Sequence, residues 1–301
     1  MGCGLKFLLL LSLAFGAVLE ASTVCLTVAG LGGEPDYDQR FANWAQDLDK
    51  ALKGTGSDVT TELLLGTNAT KANLRAAVER IAKLAKADDA FVLMLIGHGT
   101  FDGSDYKMNL PGPDISAIEL ASLLDRVPSG KQLVVNATSA SGGSVHALLR
   151  QNRTVITATK SGTEKNATVF IRYWIEGLRD AAADTDKNEV VTALEAFKFA
   201  ELKTKQFYET NKRLATEHAA LDGGDQQGAM QAGRFAVLRL GAMQKAAADP
   251  AKRALWQKRE ELETQIDQLK FQKAAIPTDE YKKQLSALLL ELARTQAELD
   301  K

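Results

Sequence analysis

Two residues whose types suit chemistry stand at the ends of two apolar runs. His98 follows the run Ala90 to Ile96, within Gly97-His98-Gly99. Ser139 follows the run Gln132 to Ala137, within Thr138-Ser139-Ala140-Ser141-Gly142-Gly143. A hydroxyl beside an imidazole is the minimal nucleophile–base pair, because the ring accepts the proton that the attacking oxygen loses. Both runs are continuously apolar, which is the pattern of parallel strands buried on both faces. Ligands of parallel α/β sheets bind beyond the carboxyl ends of the strands. If these strands are neighbours, both side chains project into one crevice.

A second constellation lies between Asp184 and Glu195. Oxygen-bearing side chains fall at positions 1, 3, 5, 9 and 12 of an EF-hand calcium loop, and Val190 at position 7 offers its carbonyl. The candidate Ca2+ ligands are therefore Asp184, Asp186, Asn188, Val190 and Glu195. Glu189 takes position 6, where glycine normally permits the sharp turn. A plain polar loop between two helices is the competing reading. Nothing else in the chain calls for a cofactor. Gly30-Leu31-Gly32-Gly33 lacks the third glycine and ribose-binding acid of a dinucleotide site and reads as a tight turn. Asp222-Gly223-Gly224-Asp225 is a looser acidic loop. His146 and His218 stand alone on expected helices, so no zinc cluster is visible. Cys25, in the first strand, reads as a buried, inert thiol.

The elements that must hold these residues alternate along the first half of the chain. Strand signals at Cys25–Ala29, Asp58–Leu65, Ala90–Ile96, Gln132–Ala137 and Thr154–Ala158 are separated by helical ones. Phe41, Trp44, Leu48 and Leu52 share one helical face, and Thr70 stands as N-cap before Leu74, Val78, Ile81 and Leu84. Repeated βα units of this length predict a mainly parallel sheet with helices on both faces. Helices are expected over 169–183 and 192–221, then a late strand over 234–240. Beyond Asp249 a charged background carries Leu255, Leu262, Ile266 and Leu269. After Pro277 comes a second stripe of Tyr281, Leu285, Leu288, Leu292 and Leu299 at coiled-coil spacing. This predicts a helical hairpin over 249–301, able to pack on itself, on the main domain or on another copy of the chain.

An apolar strand closed by His-Gly, then a second strand closed by a short Ser-Gly turn, resembles the caspase/legumain family of cysteine peptidases (clan CD). The resemblance implies a three-layer α/β/α sandwich over 23–245. It implies that His98 is the catalytic histidine and that the Gly99 N–H helps form an oxyanion hole. Aligning Ser141-Gly142 with the Ser-Gly of the family places Ser139 at the nucleophile position; a register shifted by one places Thr138 there. Asp105 to Pro113 would line the approach. Neither register supplies the cysteine of the family. A thiol has a pKa of about 8.5 before any perturbation, whereas a hydroxyl is far less acidic. A Ser–His pair therefore needs an orienting partner and a strong oxyanion hole. Three readings stay open: a catalytically inactive homologue that binds peptide or protein in the crevice, a serine-variant peptidase or hydrolase, and a replacement made to silence an enzyme. Apart from these, the chain could act as an interaction scaffold through its C-terminal hairpin, and without the resemblance His98 is a structural histidine and Ser139 a turn residue.

The chain begins with Lys6 ahead of an apolar run from Phe7 to Val18 and the small residues Ala21 and Ser22, the pattern of a secretory signal peptide over 1–22. Secretion or periplasmic export is expected, with no membrane attachment after cleavage. Cys25 then has no disulfide partner. With 37 basic and 38 acidic side chains the chain has no basic excess, which argues against nucleic acid as a partner. Of four Asn-x-Thr sequons, Asn136 lies in an apolar strand where no glycan fits.

Overall fold

The computed structural model describes residues 22–53, 59–221, 226–240 and 272–299, together with scattered helical positions between 254 and 269. The expected leader, apart from Ser22, and the Asp222–Asp225 loop lie outside the described residues.

The chain is mixed α/β around a mostly parallel central sheet. Strand β1 (Thr23–Ala29) leads through helix α1 (Pro35–Lys53) to β2 (Val59–Leu64) at one edge. Helix α2 (Lys71–Leu84) then returns the chain to β3 (Ala90–Ile96), on the other side of β1. A small antiparallel sheet follows: β4 (Gly99–Phe101), β5 (Tyr106–Met108) and β6 (Ile115–Ser116). Helix α3 (Ala117–Leu124) leads to β7 (Lys131–Asn136), and α4 (Val145–Leu148) leads to β8 (Arg153–Thr157). The order across the sheet is β10-β8-β7-β3-β1-β2, and only the edge strand β10 (Ala220–Leu221) runs antiparallel. Successive connections go one way from β1 to β2 and the other way from β3 onward. The ends of β1 and β3 thus flank a topological switch point, the usual ligand crevice of open α/β sheets.

Alternate side chains of each strand enter opposite cores. Val92, Met94, Ile96, Leu133 and Val135 pack with α1 and with helix α5 (Phe170–Gly177) and helix α6 (Ala193–Thr210). Phe91, Leu93, Leu95 and Val134 pack with α2 and α3 on the other face. Burial on both faces explains why these strands read as unbroken apolar runs. The helix starts obey capping chemistry. Thr70 accepts the N–H of Asn73, as its position predicted. Ser116 with Glu119 and Thr192 with Glu195 form reciprocal capping boxes.

The second half differs from expectation in its boundaries. Helix α5 ends at Gly177, not near 183. Helix α6 stops at Thr210, and 211–219 has no regular structure, so His218 lies on a loop. The stop is a backbone event: Lys212 takes a φ of 51°, left-handed geometry that no helix continues through. The late strand is β11 (Ala236–Arg239), which follows α7 (Gln226–Gly233) and pairs antiparallel with β9 (Val190–Thr192). At the C-terminus a helix spans Thr278–Leu299. No helix among the described residues is long and apolar enough to cross a membrane.

The central strands should dominate stability. Leu95→Ala, at a fully buried position of β3, should cost about 2–5 kcal/mol in denaturant unfolding. Ile118→Ala, at a position 67% exposed, should stay within about 0.5 kcal/mol.

Candidate functional site

His98 sits just beyond β3, half-buried at the switch point. Its ring meets Tyr37 edge-on at 4.9 Å and Phe41 at 5.1 Å, both from the start of α1. Its ring also hydrogen-bonds to the Gly32 backbone, in the turn after β1. That turn is fixed in place, because the Gly32 N–H donates to the Asp38 carboxylate at 2.7 Å. Burial lowers the His98 pKa, while the Gly32 bond and the Asp38 charge oppose the fall. Burial thus favours the neutral imidazole, in an orientation set by the Gly32 bond. The stretch 105–113 closes around its backbone: Asn109 donates its N–H to the His98 carbonyl and accepts the N–H of Leu31, each at 3.0 Å.

Strands β3 and β7 pair in parallel, with Leu95 opposite Asn136. The turn after β7 is thereby set beside the residues after β3. Ser139 is 2% exposed there. Its hydroxyl accepts the Gly99 N–H at 3.1 Å and donates to the Gly99 carbonyl at 3.2 Å. Both functions of the hydroxyl are thus used on one backbone residue, and among the described residues no hydrogen bond joins Ser139 to His98. The same bond occupies the Gly99 N–H that the resemblance implies for an oxyanion hole. Thr138, the other candidate, is fully buried; its Oγ1 lies 2.6 Å from the Tyr106 hydroxyl and 2.8 Å from Asn136 Oδ1.

These contacts belong to a larger buried hydroxyl network. Asn136 donates from Nδ2 to the Ser144 hydroxyl at 3.0 Å, and Ser144 donates to the Ser141 carbonyl at 2.6 Å. Thr159 joins Ser141 Oγ at 3.1 Å and accepts the Gly142 N–H at 2.9 Å. Ala140 turns the chain at a φ of 56° with no exposed surface. Burial pushes the Tyr106 phenol up to about 12, so it stays protonated. Asn136 is fully buried, as its place in the apolar run required, and carries no room for a glycan. Cys25 is buried too, and burial pushes its thiol up to about 12, which leaves it unreactive.

The structure brings together the carboxylates of the acidic loop. Oxygens of Asp184, Asp186 and Glu195 all lie within 4.8 Å of one another. Asp184 accepts the N–H groups of Asn188 at 3.0 Å and Glu189 at 2.8 Å. Asn188 orients Asp186 through its own N–H and Nδ2. Glu195 accepts Thr185 on Oε1 and Thr192 on Oε2. Burial, then the Glu195 charge, push the Asp186 carboxyl up to about 6. The glycine position is met without glycine: Glu189 adopts a φ of 64° and Lys187 one of 59°. The element before the loop is not the adjoining helix the pattern implied, since α5 ends at Gly177; Val190 instead opens the short strand β9.

No protein-family model matches the chain, and no curated protein matches it. Among solved structures, the Raptor protein of Chaetomium thermophilum is similar with a TM-score of 0.37 and 10% identity, over 54% of this chain and 19% of that one. The protein GSU0716 of Geobacter sulfurreducens is similar with a TM-score of 0.43 and 13% identity, over 67% of this chain and 92% of that one.

Sequence reasoning missed Tyr106, Asn136, Ser144 and Thr159. A polar Asn at the end of an apolar run, followed by a cluster of hydroxyl residues, was the available signal. It marks a buried polar patch that must satisfy itself.

The fit around Gly99 makes a sharp prediction. A Cβ there would lie 2.5 Å from the Tyr106 ring, 2.6 Å from the Ser139 carbonyl oxygen and 2.9 Å from Thr138 Oγ1. Gly99→Ala should therefore destabilise the fold by about 1–3 kcal/mol through overpacking, read by chemical unfolding. A cost below about 0.5 kcal/mol would mean that the two turns are not held this tightly.

Proposed function

We propose that this chain is a catalytically silent homologue of the caspase/legumain peptidases, exported to a secreted or periplasmic location, that binds a peptide or protein segment at the crevice beside His98. The observation that carries the reading is the Ser139 hydroxyl, which donates to and accepts from Gly99 instead of approaching the imidazole. A serine nucleophile needs its proton within reach of a base. Here the would-be base faces Tyr37, Phe41 and Gly32. A serine-variant hydrolase would have to break both Gly99 bonds before each attack. What remains useful at the switch point is a neutral, oriented imidazole beside aromatic rings, a surface suited to a peptide backbone and an apolar side chain.

Two further components accompany this reading. The acidic loop favours Ca2+ as a bound ion, since three converging carboxylates repel one another without a cation. The C-terminal residues favour a helical hairpin that docks a partner or a second copy. Lys258 pairs with Glu291 at 2.9 Å, and Leu262, Ile266 and Leu269 are buried.

Peptide-library cleavage by the native chain, Ser139→Ala and Ser139→Cys tests the central claim. The native chain should show no cleavage above the Ser139→Ala background, while a labelled peptide still binds and loses affinity at least about tenfold in His98→Ala, a change of about 1.4 kcal/mol. Cleavage that Ser139→Ala abolishes would make the chain a serine peptidase. Calcium in excess should raise the melting temperature, by an amount equal to about 2.7 kcal/mol at a hundredfold excess over Kd, and Asp186→Asn should reduce the rise. An unchanged melting temperature at millimolar calcium would remove the ion from the reading.

A further inference from the structure

Residues 211–219 run from α6 to β10 without regular structure, mostly exposed, yet Glu217 within them is only 3% exposed. Its Oε1 accepts the Val169 N–H at 2.8 Å and the Tyr208 hydroxyl at 3.0 Å, and its Oε2 accepts the Phe170 N–H at 3.1 Å. Val169 and Phe170 open α5, where N–H groups lack intrahelical partners and the helix dipole favours an anion. The partners of this buried carboxylate are thus a phenol and two amides rather than a cation.

The same segment grips the turn after β7 indirectly. His218 donates its N–H to Glu164 at 3.1 Å, and its Nδ1 lies 2.6 Å from the same carboxylate. The Glu164 carbonyl in turn accepts the Ala140 N–H at 2.8 Å. Thr168, next to Val169, donates its hydroxyl to the Ala137 carbonyl at 2.6 Å. Residues 164–170 therefore hold Ser139 from both sides, and Glu217 and His218 hold residues 164–170.

We propose that residues 211–219 form a strap that one proton switches: the relay Glu217–Tyr208–Thr216 closes without a buried charge while Glu217 is protonated, and loss of that proton loosens the strap. With Glu217 ionised, the Tyr208 phenol donates to Oε1 and accepts from Thr216 Oγ1, 3.0 Å away. A proton taken from solvent onto Oε1 makes that oxygen the donor to the phenol, and the phenol then donates to Thr216. Only the ionised form leaves a buried charge that is hydrogen-bonded to no cation, which is the costly state of the strap. The inference concerns the frame of the protein and stands whether or not the crevice holds a peptide.

The charges facing Glu217 are consistent with a switch in the neutral range. Burial pushes its carboxyl up to about 7, against the pull of the Val169, Tyr208 and Phe170 donors, and the Glu164 charge adds to the rise. Glu164 faces it from the loop before α5, with Lys160 3.9 Å from Glu164. Tyr208 faces it from α6, with Arg213 near the phenol. His218 is its neighbour in the strap. The folded state holds the Glu217 proton more tightly than the unfolded chain does. The stability from this group is therefore complete below the ordinary glutamate value and lost as pH rises through about 7.

Amide hydrogen exchange, expressed as protection factors, tests this between about pH 5 and about pH 8.5 on the native chain and Glu217→Gln. In the native chain, protection at Val169 should fall several-fold through neutrality, together with the melting temperature. Both changes should vanish in Glu217→Gln. His218, Glu164 and Lys160 are common to both chains, so the difference isolates Glu217. Identical pH profiles in the two chains would overturn the proposal. If Glu217→Gln does not fold, Tyr208→Phe gives the decision. It removes a donor that favours the ionised form, so the midpoint at Val169 should move to higher pH; an unmoved midpoint overturns the proposal.

Discussion

The parallel pairing of β3 with β7 is the constraint on which the rest of the site depends. It sets Leu95 opposite Asn136 and carries the turns beyond both strands into contact. The turn after β7 meets the first residue of β4 at a buried sheet end, where the Gly99 N–H and carbonyl face away from water and need partners. Side-chain hydroxyls answer that demand here. Ser139 satisfies the N–H and the carbonyl of Gly99, while Asn136, Thr138 and Tyr106 satisfy one another. The absence of a side chain at Gly99 is what allows the approach. Position in the sheet thus decides what the hydroxyl does, and residue type alone does not.

The acidic loop shows two demands placed on one side chain. Glu195 closes the capping box that starts α6, and it also reaches back to Thr185 at the far side of the loop. Helix start and loop closure are joined through a single carboxylate. The left-handed residues Lys187 and Glu189 let the chain reverse tightly enough for this, at a backbone cost that glycine would avoid. The short ribbon of β9 with β11 anchors the loop from its other side.

Much of the sheet was legible because its strands are buried on both faces, so apolar runs mark them directly. Thr70 was legible as a cap because capping is local. The acidic spacing from Asp184 to Glu195 is local too, and the structure gathers the carboxylates of Asp184, Asp186 and Glu195. The end of α6 was not legible: Leu214 and Ala215 continue a helix-compatible pattern, and the left-handed turn at Lys212 leaves no mark in residue type. The burial of Glu217 was not legible either, because it depends on α5 and α6 meeting around it. The partners of Ser139 were hidden too. A strand-end position says which residues are near, but the choice between Gly99 and His98 depends on side-chain rotation and on where α1 places its rings.

The residues that spell the His-Gly and Ser-Gly motifs each have a mechanical task. Gly99 leaves room for Tyr106, Ser139 closes the backbone of Gly99, and Gly142 lies so close to the loop at Ser161 that no larger residue fits without displacement. Selection for folding alone would keep these letters in place through long descent. A fold that needs these residues as spacers and struts constrains them whatever else they do, since the scaffold itself acts as the copy-editor. Here the motif records the geometry of a joint, and the chemistry must be read from where each hydrogen points.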